Sequence, residues 1–223
     1  MAAYTELVQR VRDWSNRDVE VLSDELVGTF IQFAADECYR MLRVPALECT
    51  IEYTIDSENA GSFRLGVPAD LTEFIQLRRR DPNSLTGYVV YDAKADIRSF
   101  YDEFTYKYSE FFWTREGNDL LLCPRFNAGE IYELYYYARQ TAVSDTEVDS
   151  EGNLVRPNWL RDENQRILLF GALAEAFDYL DEQEQSQKYR AKFQAELRML
   201  NDEEMKRKTL GGNVQVHFIA PLI

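Results

Sequence analysis

The sequence predicts an α+β protein. It reads as a helical bundle, made of N-terminal helices and a long C-terminal helical hairpin, with an inserted antiparallel β domain and an extended C-terminal arm. Three observations predict it. Apolar residues recur every three to four positions in residues 1–46 and again in 157–208, the period of a helix that buries one face. Across residues 47–140 the period falls to two, and aromatic and β-branched residues accumulate as they do in strands. Beyond Leu210-Gly211-Gly212-Asn213, a helix stop, the stretch Val214 to Ile219 alternates once more.

In chain order, Thr5 is placed to cap a short first helix whose Leu7, Val8, Val11 and Trp14 share a face, before the polar break Ser15-Asn16-Arg17-Asp18. Ser23 starts a longer helix carrying Leu26, Phe30, Phe33, Ala34, Cys38 and Met41. It closes ahead of Pro45, because the residue before a proline is pushed out of the α region. In the β domain, Ile51, Tyr53 and Ile55 alternate with Glu52 and Thr54, and the turn Ser57 to Gly61 leads into Phe63, Leu65 and Val67, a hairpin by pattern. Phe74 to Arg78 is extended, Asp81-Pro82-Asn83 turns, and Tyr88 to Tyr91 is a short strand. Asp92 is placed to cap a small helix bearing Ile97, Phe100, Tyr101 and Phe104. Phe111 to Trp113, Leu120 to Leu122 and Ile131 to Tyr137 follow, joined by short turns into an antiparallel meander. Residues 141–156 are polar and acidic, an exposed loop. Residues 157–208 hold the hairpin, with Phe170, Leu173, Phe177 and Leu180 on one helix and Tyr189, Phe193, Leu197 and Leu200 on the other. Asp181, Glu182 and Glu184 mark its corner, where carboxylates suit the start of the second helix. Residues 209–223 form the arm.

Composition narrows the function. Lys and Arg number 25 against 39 Asp and Glu, a formal charge of −14, which argues against a surface built to hold phosphates. Cys38, Cys49 and Cys123 are odd in number and lack a CxxC spacing, so they read as reduced, small hydrophobes in a chain that folds inside the cell. No apolar run reaches the roughly 18 residues of a membrane span, and the N-terminus has no signal-peptide pattern, so a soluble protein outside the usual secretion route is expected. His217 is the single histidine and sits in the terminal strand, which leaves little from which to build a His-dependent nucleophile or a His-rich metal site. No GxxxxGK[ST], GxGxxG or GxSxG stretch occurs. Asp36 and Glu37 lie beside a helical apolar stripe, and the run Asp145, Glu147, Asp149, Glu151 does not meet the EF-hand spacing. Tyr132, Tyr135, Tyr136 and Tyr137 lack interleaved basic residues and read as sheet packing on two faces rather than a base-stacking platform. Arg78-Arg79-Arg80, the one compact basic run, reads as a strand end or a contact with an acidic neighbour. No catalytic, cofactor or metal residue is assigned, and an assembly role is the default.

Five stretches in one order carry a resemblance: YTELVQRVRDWSNRD from Tyr4, FIQFAADECYRMLRVPALE from Phe30, LGVPADLTEFIQLRR from Leu65, LLLCPRFNAGEIYELYYYARQ from Leu120, and NWL from Asn158 followed by ILLFGALAEAFDYL from Ile167. Across residues 4–208 the chain resembles the head-to-tail adaptor (connector) proteins of tailed bacteriophages, in particular the podovirus-type adaptor family. The resemblance implies a non-enzymatic virion subunit at the head–tail interface, assembled in the host cytoplasm and using no cofactor. It implies a dodecameric ring that binds beneath the portal protein, docks the tail nozzle or tube, and passes packaged dsDNA through its lumen. The acidic charge fits a lumen in which DNA slides without specific binding. From the residues themselves, the terminal strand is expected either to fold back onto its own sheet or to add to a neighbouring subunit or the portal through Val214, Val216, Phe218, Ile219 and Leu222. Asp145, Glu147, Asp149 and Glu151 are expected to form a tail-docking loop. The alternatives are a tail-completion or stopper protein one ring further down, an acidic DNA mimic, and, from a different class, a metal-dependent carboxylate hydrolase. Against the hydrolase stands the lack of a regularly spaced, inward-facing acidic pair.

Overall fold

Residues 165–179 are apolar on nearly every side, and the chain wraps other helices around them. The computed structural model describes residues 3–94, 96–106, 110–140, 142–144 and 158–210. The acidic run from Asp145 to Glu151, the arm residues Val214, Val216, Phe218, Ile219 and Leu222, and His217 lie outside the described residues. The elements are α1 (Ala3–Ser15), α2 (Asp24–Met41), a 3-10 turn (Pro45–Leu47), β1 (Glu48–Thr54), β2 (Arg64–Gly66), β3 (Leu71–Arg80), β4 (Tyr88–Val90), β5 (Asp92–Ala93), α3 (Ile97–Tyr106), β6 (Phe112–Glu116), β7 (Asp119–Cys123), β8 (Ile131–Ala138), α4 (Trp159–Glu163), α5 (Gln165–Tyr179) and α6 (Gln183–Leu210). The protein is α+β. Contacts divide it into a helical unit, Met1–Leu47 with Gln140–Ile223, and a β unit, Glu48–Arg139.

In the helical unit, α5 is the central helix. Ile167 to Ala174, Ala176 and Phe177 are all buried, and α1, α2, α4 and α6 pack on it. Such an all-round apolar helix has no solvent face to present. The α6 side contributes a stripe of Ser186, Tyr189, Phe193 and Leu197 at helical spacing, all buried. The Ser186 hydroxyl donates to the Ala174 carbonyl at 3.0 Å. The corner between α5 and α6 closes by backbone geometry. Asp181 takes φ 57°, the Glu182 N–H reaches the Phe177 carbonyl at 2.8 Å, and the Asp181 N–H reaches that of Asp178 at 3.1 Å, the paired bonds of a Schellman ending.

Helix starts follow side-chain chemistry with two adjustments. Ser23 caps α2, its Oγ accepting from the Leu26 N–H at 3.2 Å. Thr5, by contrast, lies inside α1, which begins at Ala3, and the Tyr4 hydroxyl of that first turn lies over Gly28 of α2. The first arm of the C-terminal hairpin is two helices, not one. Asn158 caps α4, accepting from the Arg161 N–H at 3.1 Å, and Asn164, at φ −129° and ψ 37°, breaks the path before α5.

The β unit is two four-stranded sheets, ordered β1-β8-β3-β4 and β2-β7-β6-β5. Neither the expected hairpin nor the expected meander forms as such. β1 pairs with β8, and β2 pairs with β7 in the other sheet. The chain between Ile55 and Phe63 crosses from one sheet to the other, held by bonds from Ile55 to Glu130 and Gly129 and from Gly61 to Phe126. Of the three strands read as a meander, only β6 and β7 form a hairpin, turning at Gly117 with φ 60°, while β8 joins β1 and β3. Alternation fixes which face each residue takes, not which strand it meets. Between the sheets lie Leu65, Leu77, Leu120, Leu122, Phe126, Tyr132, Leu134 and Tyr136. On the far side of the second sheet, Phe100 of α3 packs with Phe112, Leu121 and Cys123. The unbroken run Leu120 to Cys123 therefore belongs to a strand buried on both faces. Asp96, not Asp92, caps α3, accepting from the Ser99 N–H at 2.8 Å; Asp92 lies in β5.

Candidate interaction surfaces

Tyrosines in β8 divide by parity. Tyr132 and Tyr136 point into the inter-sheet core, and Glu133, Tyr135 and Tyr137 follow one another along the outward face. The expected packing on two faces is what the strand does. The outward face continues across the sheet: Glu52 of β1 stands opposite Glu133, which stands opposite Arg78 of β3. Two glutamates directly opposite would repel. Arg80 resolves this by bonding both, Glu133 through Nε at 2.8 Å and Glu52 through Nη2 at 2.5 Å. Arg78 Nε donates to Glu133 at 2.8 Å, as does the Tyr135 hydroxyl. The Arg78 guanidinium also bonds the Tyr135 hydroxyl and stacks between two rings, 3.8 Å from the Tyr88 centroid and 4.5 Å from that of Tyr135.

Glu133 is only 5% exposed. Burial by itself opposes its charge, but the bonds from Arg78, Tyr135 and Arg80 outweigh that and hold its carboxyl below the ordinary glutamate range. A second ionic centre lies inward. Arg79 Nη1 pairs with Glu130 at 2.6 Å, and Glu130 also accepts from the Asn127 N–H at 2.8 Å, the Asn127 amide at 2.9 Å and the Tyr132 hydroxyl at 2.9 Å. Glu130 is lowered in the same way, against burial, by the Asn127 and Tyr132 bonds and Arg79. Burial pushes the Tyr132 phenol upward, with Tyr91 and Glu130 adding to it, and raises that of Tyr91 to about 12. The arginine run is thus consumed by carboxylates and rings, the acidic-neighbour contact expected of it. It offers no open row of cations to a nucleic acid.

Among the described residues no cluster of three or more His, Cys, Asp or Glu is arranged to hold a metal ion. Among them, too, no helix is long and apolar enough to cross a membrane. Asp36 accepts from Gln32 at 2.8 Å. What the geometry offers is rigid, charged and aromatic surface. A family model described as SU10 adaptor protein matches residues 2–215. The chain belongs to the SU10 adaptor protein family. A search of curated proteins returned no match. The phage adaptors are a structural class and not an enzyme class, and in this chain the ladder around Glu133 ties β1, β8 and β3 together through Arg78 and Arg80. Glu133 was not singled out by sequence reasoning, though an acid inside a run of tyrosines, opposite three arginines in a neighbouring strand, is the signal that would have found it.

Proposed function

We propose that this adaptor is one subunit of a dodecameric ring at the head–tail interface of the virion. It seats beneath the portal protein, docks the tail nozzle or tube, and lets packaged DNA pass on ejection. The observation that carries the reading is the family match over residues 2–215, which takes in both units. The build of the helical unit supports it, since a central helix clamped on all sides suits lateral packing in a ring. The β unit, with its own core, suits contacts above or below. The formal charge of −14 supports a lumen that repels phosphates and prevents binding by counterion release. On sequence grounds we assign the portal or neighbour contact to Val214, Val216, Phe218, Ile219 and Leu222, and tail docking to Asp145, Glu147, Asp149 and Glu151.

Light scattering behind a sizing column tests the reading, with the protein alone and mixed with the portal protein of the same phage. Entry into a complex of portal size or larger supports it; a 26.1 kDa species left unchanged by the portal refutes it. Truncation after Gly212 is expected to leave a folded chain that fails to join the portal, and normal assembly of that chain refutes the arm. Duplex DNA is expected to be retained negligibly in a gel shift near physiological salt; micromolar retention refutes the lumen argument.

A further inference from the structure

Lys188 and Lys192 lie one turn apart on α6, and neither forms an ion pair with a described carboxylate. In a chain with 39 acids to 25 Lys and Arg, an unpaired cation has a reason to be paired that these two do not satisfy internally. Lys188 Nζ donates to Gln185 Oε1 at 3.3 Å. Lys192 Nζ lies 4.8 Å from the Tyr189 ring centroid and 5.4 Å from that of Phe170. Glu196, one turn beyond Lys192, is taken by Arg166 at 2.9 Å, and Arg166 itself lies over Phe170 at 5.3 Å. From the α1 side, Trp14 meets Phe170 at 6.3 Å and remains 51% exposed. A cationic, aromatic groove between α1 and α6 is the result, on a molecule that is otherwise strongly acidic.

We propose that this groove is a contact surface for a second copy of the chain, which presents carboxylates to Lys188 and Lys192 and apolar surface to Trp14. Charge complementarity selects the occupant, because another copy carries the same net charge of −14 and is rich in carboxylates. Within the ring proposed above, the groove of one copy meets a different, acidic face of the next, so that each contact joins unlike surfaces. Contacts of that head-to-tail kind propagate, and close into a ring when the rotation allows. Trp14 supplies the buried aromatic anchor such an interface needs. The inference rests on the ring reading above and adds to it the side chains of one lateral face.

The test uses full-length protein grown with light and with heavy nitrogen, mixed in equal parts, alone and with the portal protein. A carbodiimide, which joins amines to carboxylates without a spacer, is applied before digestion and mass spectrometry. Mixed-isotope peptides joining Lys188 or Lys192 to an acid are expected, and are expected to vanish at high salt. Their absence, or linkage only within one isotope, overturns the proposal. Lys188→Glu with Lys192→Glu is expected to weaken assembly at least tenfold, while the double arginine variant retains it; assembly unaffected by the charge reversal also overturns it. DNA retention removed by that reversal would reassign the groove to phosphate and overturn it as well. If the portal recruits no adaptor, the ring reading falls, and the cross-links of the protein alone still decide the groove.

Discussion

Gly171 occupies the middle of α5, where glycine costs a helix about 1 kcal/mol relative to alanine. The structure gives the reason it is there. A Cβ at this position would lie 2.5 Å from the Ala34 Cβ and 3.0 and 3.1 Å from two ring carbons of Phe193. The Ala34 methyl is fixed to the α2 backbone, so relief requires α2 and α5 to part by roughly 1 Å to reach ordinary carbon contact. Overpacking costs about 1–3 kcal/mol, and a 2.5 Å contact with a backbone-fixed methyl falls in the upper part of that range, about 2–3, of which about 1 is returned by helix propensity. Gly171→Ala is therefore expected to destabilise by about 1–2 kcal/mol. Gly28, in α2, gives the opposite sign. A Cβ there meets only the Tyr4 hydroxyl, at 2.8 Å, the far end of a side chain near a helix terminus that swings aside. Gly28→Ala is expected to stabilise by about 0.5–1 kcal/mol. Urea unfolding followed by far-UV circular dichroism measures both. Adding Ala34→Gly to Gly171→Ala removes the nearer of the two obstacles, so the double variant should be less destabilised than the sum of the singles by about 0.5–1 kcal/mol. A Gly171→Ala protein as stable as its parent, or strict additivity with Ala34→Gly, refutes the reasoning.

Ser23→Ala removes the acceptor for the Leu26 N–H and is expected to cost about 1 kcal/mol, with Ser23→Asp close to neutral in the same unfolding assay. Maleimide labelling of the native protein, read by mass spectrometry, is expected to modify exposed Cys49 first. Cys38 and Cys123 are buried, and burial raises both thiols, Cys123 to about 11 and Cys38 further with the Glu37 charge adding to it; labelling of either ahead of Cys49 contradicts this. Glu130 and Glu133 both titrate lower folded than unfolded, so on acidification the unfolded chain takes up protons first. The stabilisation is complete above the ordinary glutamate value near 4.5 and is lost as pH falls through the folded values. Glu133→Gln is expected to flatten that acid limb and to cost about 1–3 kcal/mol near neutrality; unchanged acid sensitivity tells against the ladder.

Residues that answer to their own neighbours were legible in the sequence. Ser23, the α6 stripe through Tyr189, Phe193 and Leu197, and the two-faced tyrosines of β8 all follow from spacing and side-chain type. The α2 stripe was legible in part: Phe30, Ala34 and Cys38 are buried, but Phe33 and Met41 are exposed, and Val27, Ile31, Ala35 and Tyr39 complete the buried face. Strand pairing was not legible, because Ile51, Tyr53 and Ile55 would alternate identically whether β1 met β2 or β8. The α3 cap shifted from Asp92 to Asp96 because Asp92 is drawn into pairing with Phe112, a contact 20 residues away that local propensity cannot register. The groove around Lys192 was invisible for the same reason. Nothing near Lys192 in sequence announces that Trp14, Phe170 and Arg166 will surround it. The arginine triplet was readable as an acidic contact, but not its detail, since Glu52 and Glu133 reach it from strands 28 and 53 residues away.

The distribution of positive charge ties these surfaces together. Arg78, Arg79 and Arg80 are neutralised within the β unit, and Arg10, Arg12, Arg17 and Arg190 within the helical one. Each pair removes a cation that would otherwise grip phosphate, and leaves the formal charge of −14 unchanged. That arrangement suits passage of DNA and works against bringing copies of the chain together, because each carries −14. At physiological salt the repulsion is screened beyond about 8 Å, while charges in direct contact are screened far less. Short-range complementarity can therefore decide association where long-range repulsion would forbid it. On that balance a few cations left over aromatic rings, rather than in internal pairs, have more leverage over assembly than their number suggests, and Lys188 and Lys192 are placed to exert it.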